Sequence, residues 1–271
     1  VTVRLRTAGH ILGAATVELT LEERGKKRTL VFSGDLGYRD APLLQAAERV
    51  EHADYVLMES TYGNRNHRSA AATLAELKAI FMRAHEDGGN VLIPAFAVGR
   101  TQDLLYLLAE HFDEWQIGRW KVYLDSPMAI ETTAVYGHFR HLYRDPGVVE
   151  GKLPNLVLSR TAEDSMRINE IRHGAIVIAG SGMCNGGRIR HHLKHNLWRP
   201  QCDVVMVGFQ AAGTLGRKLV DGETRVRLWQ ETIAVAARIH TVRGLSAHGD
   251  QADLLEWYGG FARRPPVSLV H

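Results

Sequence analysis

Little in this chain could be cross-linked covalently, since its 271 residues include only two cysteines, Cys184 and Cys202. They form no CxxC pair and cannot build a disulfide framework, and no signal-peptide pattern opens the sequence, so a reducing, cytoplasmic setting is expected. Long apolar runs are missing too. No stretch approaches the roughly 20 residues that cross a bilayer, so no membrane association is expected. An excess of one charge is also absent, because 33 Lys+Arg stand against 30 Asp+Glu for a formal net charge of +3. Any nucleic-acid partner must then be held by local basic patches, as the field of the whole molecule is weak. Aromatic residues make up 7% of the chain, against 45% apolar and 23% charged. Such a composition excludes disorder, collagen and coiled coil and belongs to a soluble globular protein with a large core.

The hydrophobic period changes along the chain. Val17, Leu19 and Leu21 alternate, a charged turn from Glu22 to Lys27 holds Gly25, and Thr29 to Phe32 return, which predicts an antiparallel hairpin. A loop from Ser33 to Pro42 and a small helix lead to a strand at Tyr55 to Met58, ending at Glu59. From Ser69 the residues Leu74, Leu77, Phe81 and Ala84 follow a helical stripe, and Gly88-Gly89 stops it before a strand from Asn90 to Ile93. Helix and strand then alternate: helix 101–112, strand 121–124, a helical segment near 128–142, strand 175–179, helix 188–195 and strand 203–207. Repeated β-α-β with near-continuous apolar strands predicts a parallel sheet covered by helices on both faces. Short strands resume at Arg225, followed by a helix near 251–261 and a last strand, Val267 to Val270. The expected organisation is a strand-rich domain (1–62 and 221–271) interrupted by an α/β domain (63–220). A start at Val1 inside an extended pattern and a stop at His271 read as a segment of a longer protein.

Three loops that follow strands in the α/β part are rich in glycine and small residues: Pro94 to Arg100, Gly180 to Arg188 and Gly208 to Arg217. Strand ends of open α/β sheets and helix N-termini favour phosphate, and each loop ends in an arginine, whose planar fork suits phosphate oxygens. Taken singly, each glycine set also reads as a tight turn. Two phosphate motifs fail on spacing. Gly180-x-Gly182 has Asn185 where a dinucleotide fingerprint needs a third glycine, and Gly213 is followed by Thr214 rather than the lysine of a P-loop.

The strand-rich parts carry polar residues at the ends of apolar strands: His10, Asp35, Glu59, His248 and His271. Each alone reads as a cap or turn residue. Together, neutral imidazoles and a bridging carboxylate are the ligand types of a two-metal hydrolytic site. With AGHILGAA around His10, SGDLG around Asp35, ESTYGNR at Glu59, SAHGD around His248 and SLV before His271, the chain resembles the β-CASP group of metallo-β-lactamase-fold nucleases. That group includes ribonuclease J and the endonuclease subunit of the pre-mRNA 3′-end processing complex, and this sequence is most similar to prokaryotic RNA-processing members related to the latter. DSPMA at Asp125, SGMCNGGR at Ser181 and PAFAVGRTQ at Pro94 match further stretches of the family pattern.

The resemblance implies a partial metallo-β-lactamase αββα sandwich interrupted by a β-CASP parallel-sheet domain. It implies His10, Asp35 and His271 as metal ligands, Asp35 bridging two zinc ions, with manganese as an alternative metal. The family's HxHxDH motif is absent from residues 1–271 and is expected upstream of Val1. With only three dispersed ligands the segment alone is expected to be inactive. In the complete protein a hydroxide held between the metals would attack the scissile phosphorus of single-stranded RNA in an interdomain cleft, with His248 as general acid and Glu59 orienting it. Ser181, Gly182, Gly186, Gly187 and Arg188, with Arg100 and Arg217, are expected to bind the substrate backbone. The basic stretch Arg188, Arg190, Lys194 and Arg199 reads equally as phosphate-facing or as a solvated helix face, and Trp198 and Tyr62 as base-stacking or as core. A homodimer is compatible with the sequence. Two alternatives stand beside the ribonuclease: an inactive RNA-binding scaffold, and a DNA-directed nuclease of the same fold.

Overall fold

Strand β1 (Thr2–Thr7), β2 (Ala15–Glu23) and β3 (Lys26–Phe32) run antiparallel in sequence, and Glu22 and Glu23 face Lys27 and Lys26 across the hairpin. Between β2 and β3 the residues Arg24 and Gly25 take positive φ (49° and 75°), a two-residue turn whose twist matches that of paired strands. β4 (Tyr55–Glu59) joins β3 in parallel. The computed structural model describes residues 1–145 and 153–271, in two units: Val1–Arg68 with Leu142–Arg144 and Ser246–His271, and Ser69–His141 with Asp145–Leu245.

In the first unit the C-terminal strand β13 (Val267–Val270) adds to the far side of β4, giving the order β1-β2-β3-β4-β13. One face of this sheet packs Val31, Val56 and Met58 against Leu254, Trp257 and Phe261 of the segment around helix α7 (Gln251–Gly259). Asp250 caps that helix, accepting from the Asp253 amide while Asp253 returns the bond. Registered pairing puts Val3, Leu5, Val17, Leu19, Leu30, Phe32 and Leu57 on the opposite face. There Val3 and Leu5 stay 58% and 66% exposed, and no second sheet that would complete a sandwich is among the described residues of this unit.

The sequence pattern places a small helix between Pro42 and Tyr55; the structure has none there. Its backbone groups go elsewhere. The Gln45 amide donates to the Leu142 carbonyl and the Glu48 amide to that of Thr7, and Leu43, Leu44 and Val50 are buried, so tertiary pairing replaces the i→i−4 ladder.

The second unit alternates helix and strand. Helix α1 (Ala70–Glu86), capped by Ser69, leads to β5 (Val91–Pro94) and α2 (Arg100–Glu110) to β6 (Lys121–Asp125). After α3 (Pro127–His138) come β7 (Leu156–Leu158), α4 (Ala162–Ile168), β8 (Ala175–Ala179), α5 (Ile189–Asn196), β9 (Asp203–Met206) and α6 (Leu215–Val220). A hairpin of β10 (Arg225–Leu228) and β11 (Glu231–Ala234) precedes β12 (Arg238–Thr241). All six strands of the sheet β12-β9-β5-β8-β6-β7 are parallel, as the periodicity requires. Leu92, Val177 and Val204 share one core with residues of α4, α5 and α6. The intervening Val91, Ile93, Val122, Ile176 and Val205 are equally buried, so both faces are covered.

The expected division at 220/221 is corrected by β12, which pairs with β9 along its whole length and carries residues 221–245 into the second unit. At the other junction the change falls at Ser69, the cap of α1, rather than at residue 63. No helix of the described residues is long and apolar enough to cross a membrane.

Candidate active site

The strand-end residues of the first unit converge because of how its segments pair. His10 follows β1, Asp35 follows β3, Glu59 ends β4 and His271 follows β13. Parallel register sets Val270 beside Glu59, which delivers His271 next to it. Bridges between Gly9 and Leu36 and between Gly37 and His248 bring in the loops of His10, Asp35 and His248. Glycine is required there, since a Cβ on Gly37 would stand 2.2 Å from the Gly9 carbonyl oxygen.

His248 and Glu59 form a couple. Nδ1 of His248 lies 3.0 Å from Oε2 and 3.3 Å from Oε1 of Glu59. A carboxylate only accepts, so the imidazole donates from Nδ1 and leaves Nε2 for other work. Glu59, 2% exposed, also accepts from the Leu36 amide. Burial alone would push its carboxyl up, but hydrogen bonds from His248, Thr61 and Leu36 outweigh it and hold the group below the ordinary range.

Asp35 lies between two further histidines. Its Oδ2 is 3.9 Å from His10 Nε2 and its Oδ1 is 3.6 Å from His271 Nδ1, both beyond hydrogen-bond reach. Ligands of one tetrahedral zinc, each about 2.0–2.1 Å from the ion, stand about 3.3–3.4 Å apart. The spacing suits donors that face each other across a cation, and each carboxylate oxygen addresses a different histidine. Burial first, then the neighbouring His248, pushes the His10 imidazole below its ordinary value, which favours the neutral, ligating form. Donor atoms of His10, Asp35 and His248 lie within 4.8 Å of one another, as do those of Glu59, His248 and His271. The residues present thus fit a metal.

In the second unit the three glycine loops follow β5, β8 and β9, which are neighbours in the sheet. They lock together: Gln210 Nε2 donates to the Gly182 carbonyl at 2.9 Å and the Gly216 amide to that of Met183 at 3.1 Å. Several of the residues expected to bind phosphate make bonds within this unit. The Gly186 amide donates to Ser181 Oγ (3.3 Å). Gly187, at φ +68°, is needed because a Cβ there would sit 2.1 Å from the Gly180 carbonyl oxygen, and Gly182 carries the ring of Phe96. None of the three loop arginines presents an unpaired fork. Arg188 donates to Asp125 Oδ1 (2.8 Å) and to the carbonyls of Ser159 and Arg160, Arg100 is buried and pairs with Asp103, and Arg217 pairs with Asp221 one helical turn on. Elsewhere in the basic stretch, Arg199 is buried on Asn196 and Arg172 and Lys194 pairs with Glu231, whereas Arg190 lies over the Trp229 ring.

Asp125 stood in the sequence only as part of a matching stretch, with no role assigned. This fully buried carboxylate accepts from Ser165 Oγ (2.6 Å), His192 Nε2 (2.6 Å) and Arg188, and so pins the loop 181–188 to the end of β6. A charged residue closing an apolar strand was the available signal. Cys184 is buried, with its thiol pushed up to about 12, which makes it an inert core residue. Trp198 is exposed, and Tyr62 is half-buried with its ring edge on His67.

Two family models match parts of the chain. Residues 101–219 match the Beta-Casp domain, and residues 232–271 match the Zn-dependent metallo-hydrolase RNA specificity domain. Ribonuclease TTHA0252 of Thermus thermophilus is 39% identical across 97% of this chain and 61% of its own length. An RNase J-like protein of Methanocaldococcus jannaschii is 29% identical across 97% of the chain and 62% of its own. Transcription termination factor FttA of Thermococcus kodakarensis is 32% identical across 98% and 43% respectively. The chain thus spans about three-fifths of the first two relatives and less than half of the third.

Proposed function

This chain belongs to the β-CASP family of the metallo-β-lactamase fold, and from that premise we propose that the complete protein is a zinc-dependent ribonuclease acting on single-stranded RNA in RNA processing or decay. The observation that carries the reading is the placement of Asp35 between His10 and His271, beside the Glu59–His248 couple. Relatives named as ribonucleases support the substrate class. Free, buried cysteines accord with a reducing, cytoplasmic setting.

His10, Asp35 and His271 would hold the metal, two ions in the complete protein. When bound, zinc supplies Lewis acidity at phosphoryl oxygens and lowers the pKa of water towards neutrality. The chain's own work concerns the leaving group. As the bond from phosphorus to the 3′-oxygen breaks, His248 Nε2 donates a proton to that oxygen, leaving a 5′-phosphate and a 3′-hydroxyl. Glu59 holds the ring through Nδ1 and stabilises its cationic form before transfer. Proton donation of this kind contributes about 10² to 10⁴ in rate.

His248 belongs to both groups of converging donors, which favours a second reading of it as a metal ligand. The full-length, zinc-loaded protein with His248→Ala separates the two. As general acid, the variant keeps its zinc and loses at least about a hundredfold in single-turnover cleavage of an RNA strand. Loss of zinc makes His248 a ligand, and cleavage within threefold of wild type rejects the acid role. A matched DNA strand cleaved as fast would widen the substrate, and no cleavage of either by the zinc-loaded wild type would leave a scaffold.

A further inference from the structure

The segment between Glu59 and α1 makes one contact that helix capping does not explain. Residues 63–67 wrap the start of α7. The Gln251 amide donates to the Arg65 carbonyl (3.0 Å), Gln251 Nε2 to that of Gly63 (2.8 Å), the Ala252 amide to Asn66 Oδ1 (3.1 Å), and the His67 amide to Asp250 Oδ2 (2.9 Å). All four satisfy or steady groups at the helix N-terminus, where backbone donors lack intrahelical partners. A fifth bond goes elsewhere. His67 Nε2 lies 2.9 Å from the main-chain carbonyl of His248, two residues before the cap. A carbonyl only accepts, so the His67 ring carries its proton on Nε2.

We propose that His67 is a positioning residue for the Glu59–His248 couple: its Nε2–H bond to the His248 carbonyl fixes the backbone from which the His248 ring reaches Glu59. The His67 ring is itself held, standing edge-on to Tyr38 (5.0 Å) and Tyr62 (4.6 Å). On its other side the His248 backbone is tied by the bridge to Gly37 and by the Ser246 hydroxyl, which accepts from the His248 amide at 3.2 Å. Both sides of His248 are thereby fastened, one through Gly37 and one through His67. A loop that served only to cap α7 would need Gly63, Arg65 and Asn66, and any residue with a backbone N–H at position 67. The imidazole donor is the part that capping leaves unused, and its acceptor is the residue whose ring geometry the reaction depends on.

The proposal rests on the acid role of His248, so its test includes that role as a separate arm. In the full-length, zinc-loaded protein, His67→Phe keeps the ring and its packing on the tyrosines but removes the donor, whereas His67→Gln keeps an amide donor of similar reach. The expected result is a fall of about tenfold in kcat for His67→Phe with KM within about twofold, and recovery to within about threefold for His67→Gln. With His248→Ala already present, His67→Phe should add less than about twofold, because it acts through the residue removed. Imidazole ¹⁵N resonances should show the His67 proton on Nε2 in the metal-free and loaded protein alike. Unchanged kcat in His67→Phe, equal losses with and without His248, or a proton on Nδ1 overturns the positioning role. If His67→Phe does not fold, the glutamine variant and the ring tautomer decide. Cleavage surviving His248→Ala removes the acid role instead, a result visible before any His67 variant is read.

Discussion

Replacing Glu59 by Gln is the sharpest perturbation of the couple, since it keeps the side-chain shape and removes only the charge and one acceptor. Glu59 is 2% exposed and accepts from His248 Nδ1, the Leu36 amide and Thr61. The amide of a glutamine turns its NH2 group towards one of them, so one buried donor loses its partner at a cost of about 1–3 kcal/mol in stability. Catalysis should suffer more. Without the carboxylate, the cationic His248 loses its stabilising charge and its ring its anchor, so most of the roughly 10² to 10⁴ carried by proton donation should go. Because Glu59 sits below its ordinary range, its contribution is present above that range and disappears as the pH falls through the depressed value, so the loss in Glu59→Gln should shrink in acid. Single-turnover cleavage of a labelled RNA strand by the full-length protein, with zinc measured in parallel, gives the answer. A variant within threefold of wild type while His248→Ala is crippled would show that the carboxylate does not serve the imidazole.

Three further outcomes follow from the packing of the second unit. Asp203 is fully buried, and although burial pushes its carboxyl up, bonds from His240 and Arg238 hold it below the usual value. Its stabilisation is present above about pH 4 and lost as pH falls through the depressed value, so Asp203→Asn should cost about 1–3 kcal/mol near pH 7, discounted for the partly exposed Arg238, and progressively less in acid, as read by urea unfolding at several pH values. Gly187→Ala, with a Cβ meeting the Gly180 carbonyl at 2.1 Å and φ of +68°, should cost about 2–4 kcal/mol in the same assay; a neutral result would contradict the loop geometry. Cys184, buried with a thiol near 12, should resist iodoacetamide at pH 8 in the native protein and react once unfolded, and fast native labelling would place it at the surface.

Much of the architecture was legible because each period has one physical meaning. Apolar runs such as Ala175–Ala179 came out as buried parallel strands, and the stripe Leu77, Phe81 and Ala84 as the buried face of a long helix. Where the pattern misled, tertiary bonds had taken over. Leu43 to Val50 has helical composition, yet Thr7 and Leu142 compete for its amides. β12, with the sequence RIHT, shows no strong alternation, and only its pairing with β9 assigns it to the second sheet. The candidate ligands were grouped by residue type and by the family resemblance, while their distances were not legible, because Glu59 and His248 meet across 189 positions. The carboxylate partners of the loop arginines were unequally legible. Asp103 and Asp221, three and four residues after Arg100 and Arg217, were in view as helical partners, while Asp125, the partner of Arg188, is 63 positions away.

Asp35, placed between His10 and His271, is expected to hold the metal on which RNA hydrolysis depends. Metal content and RNA cleavage of the full-length protein, measured together for wild type and Asp35→Ala, address it most directly. Zinc in the wild type and joint loss of zinc and cleavage in the variant are expected. A variant that still cleaves at the wild-type rate, or a wild type that cleaves undiminished after exhaustive chelation, would contradict it.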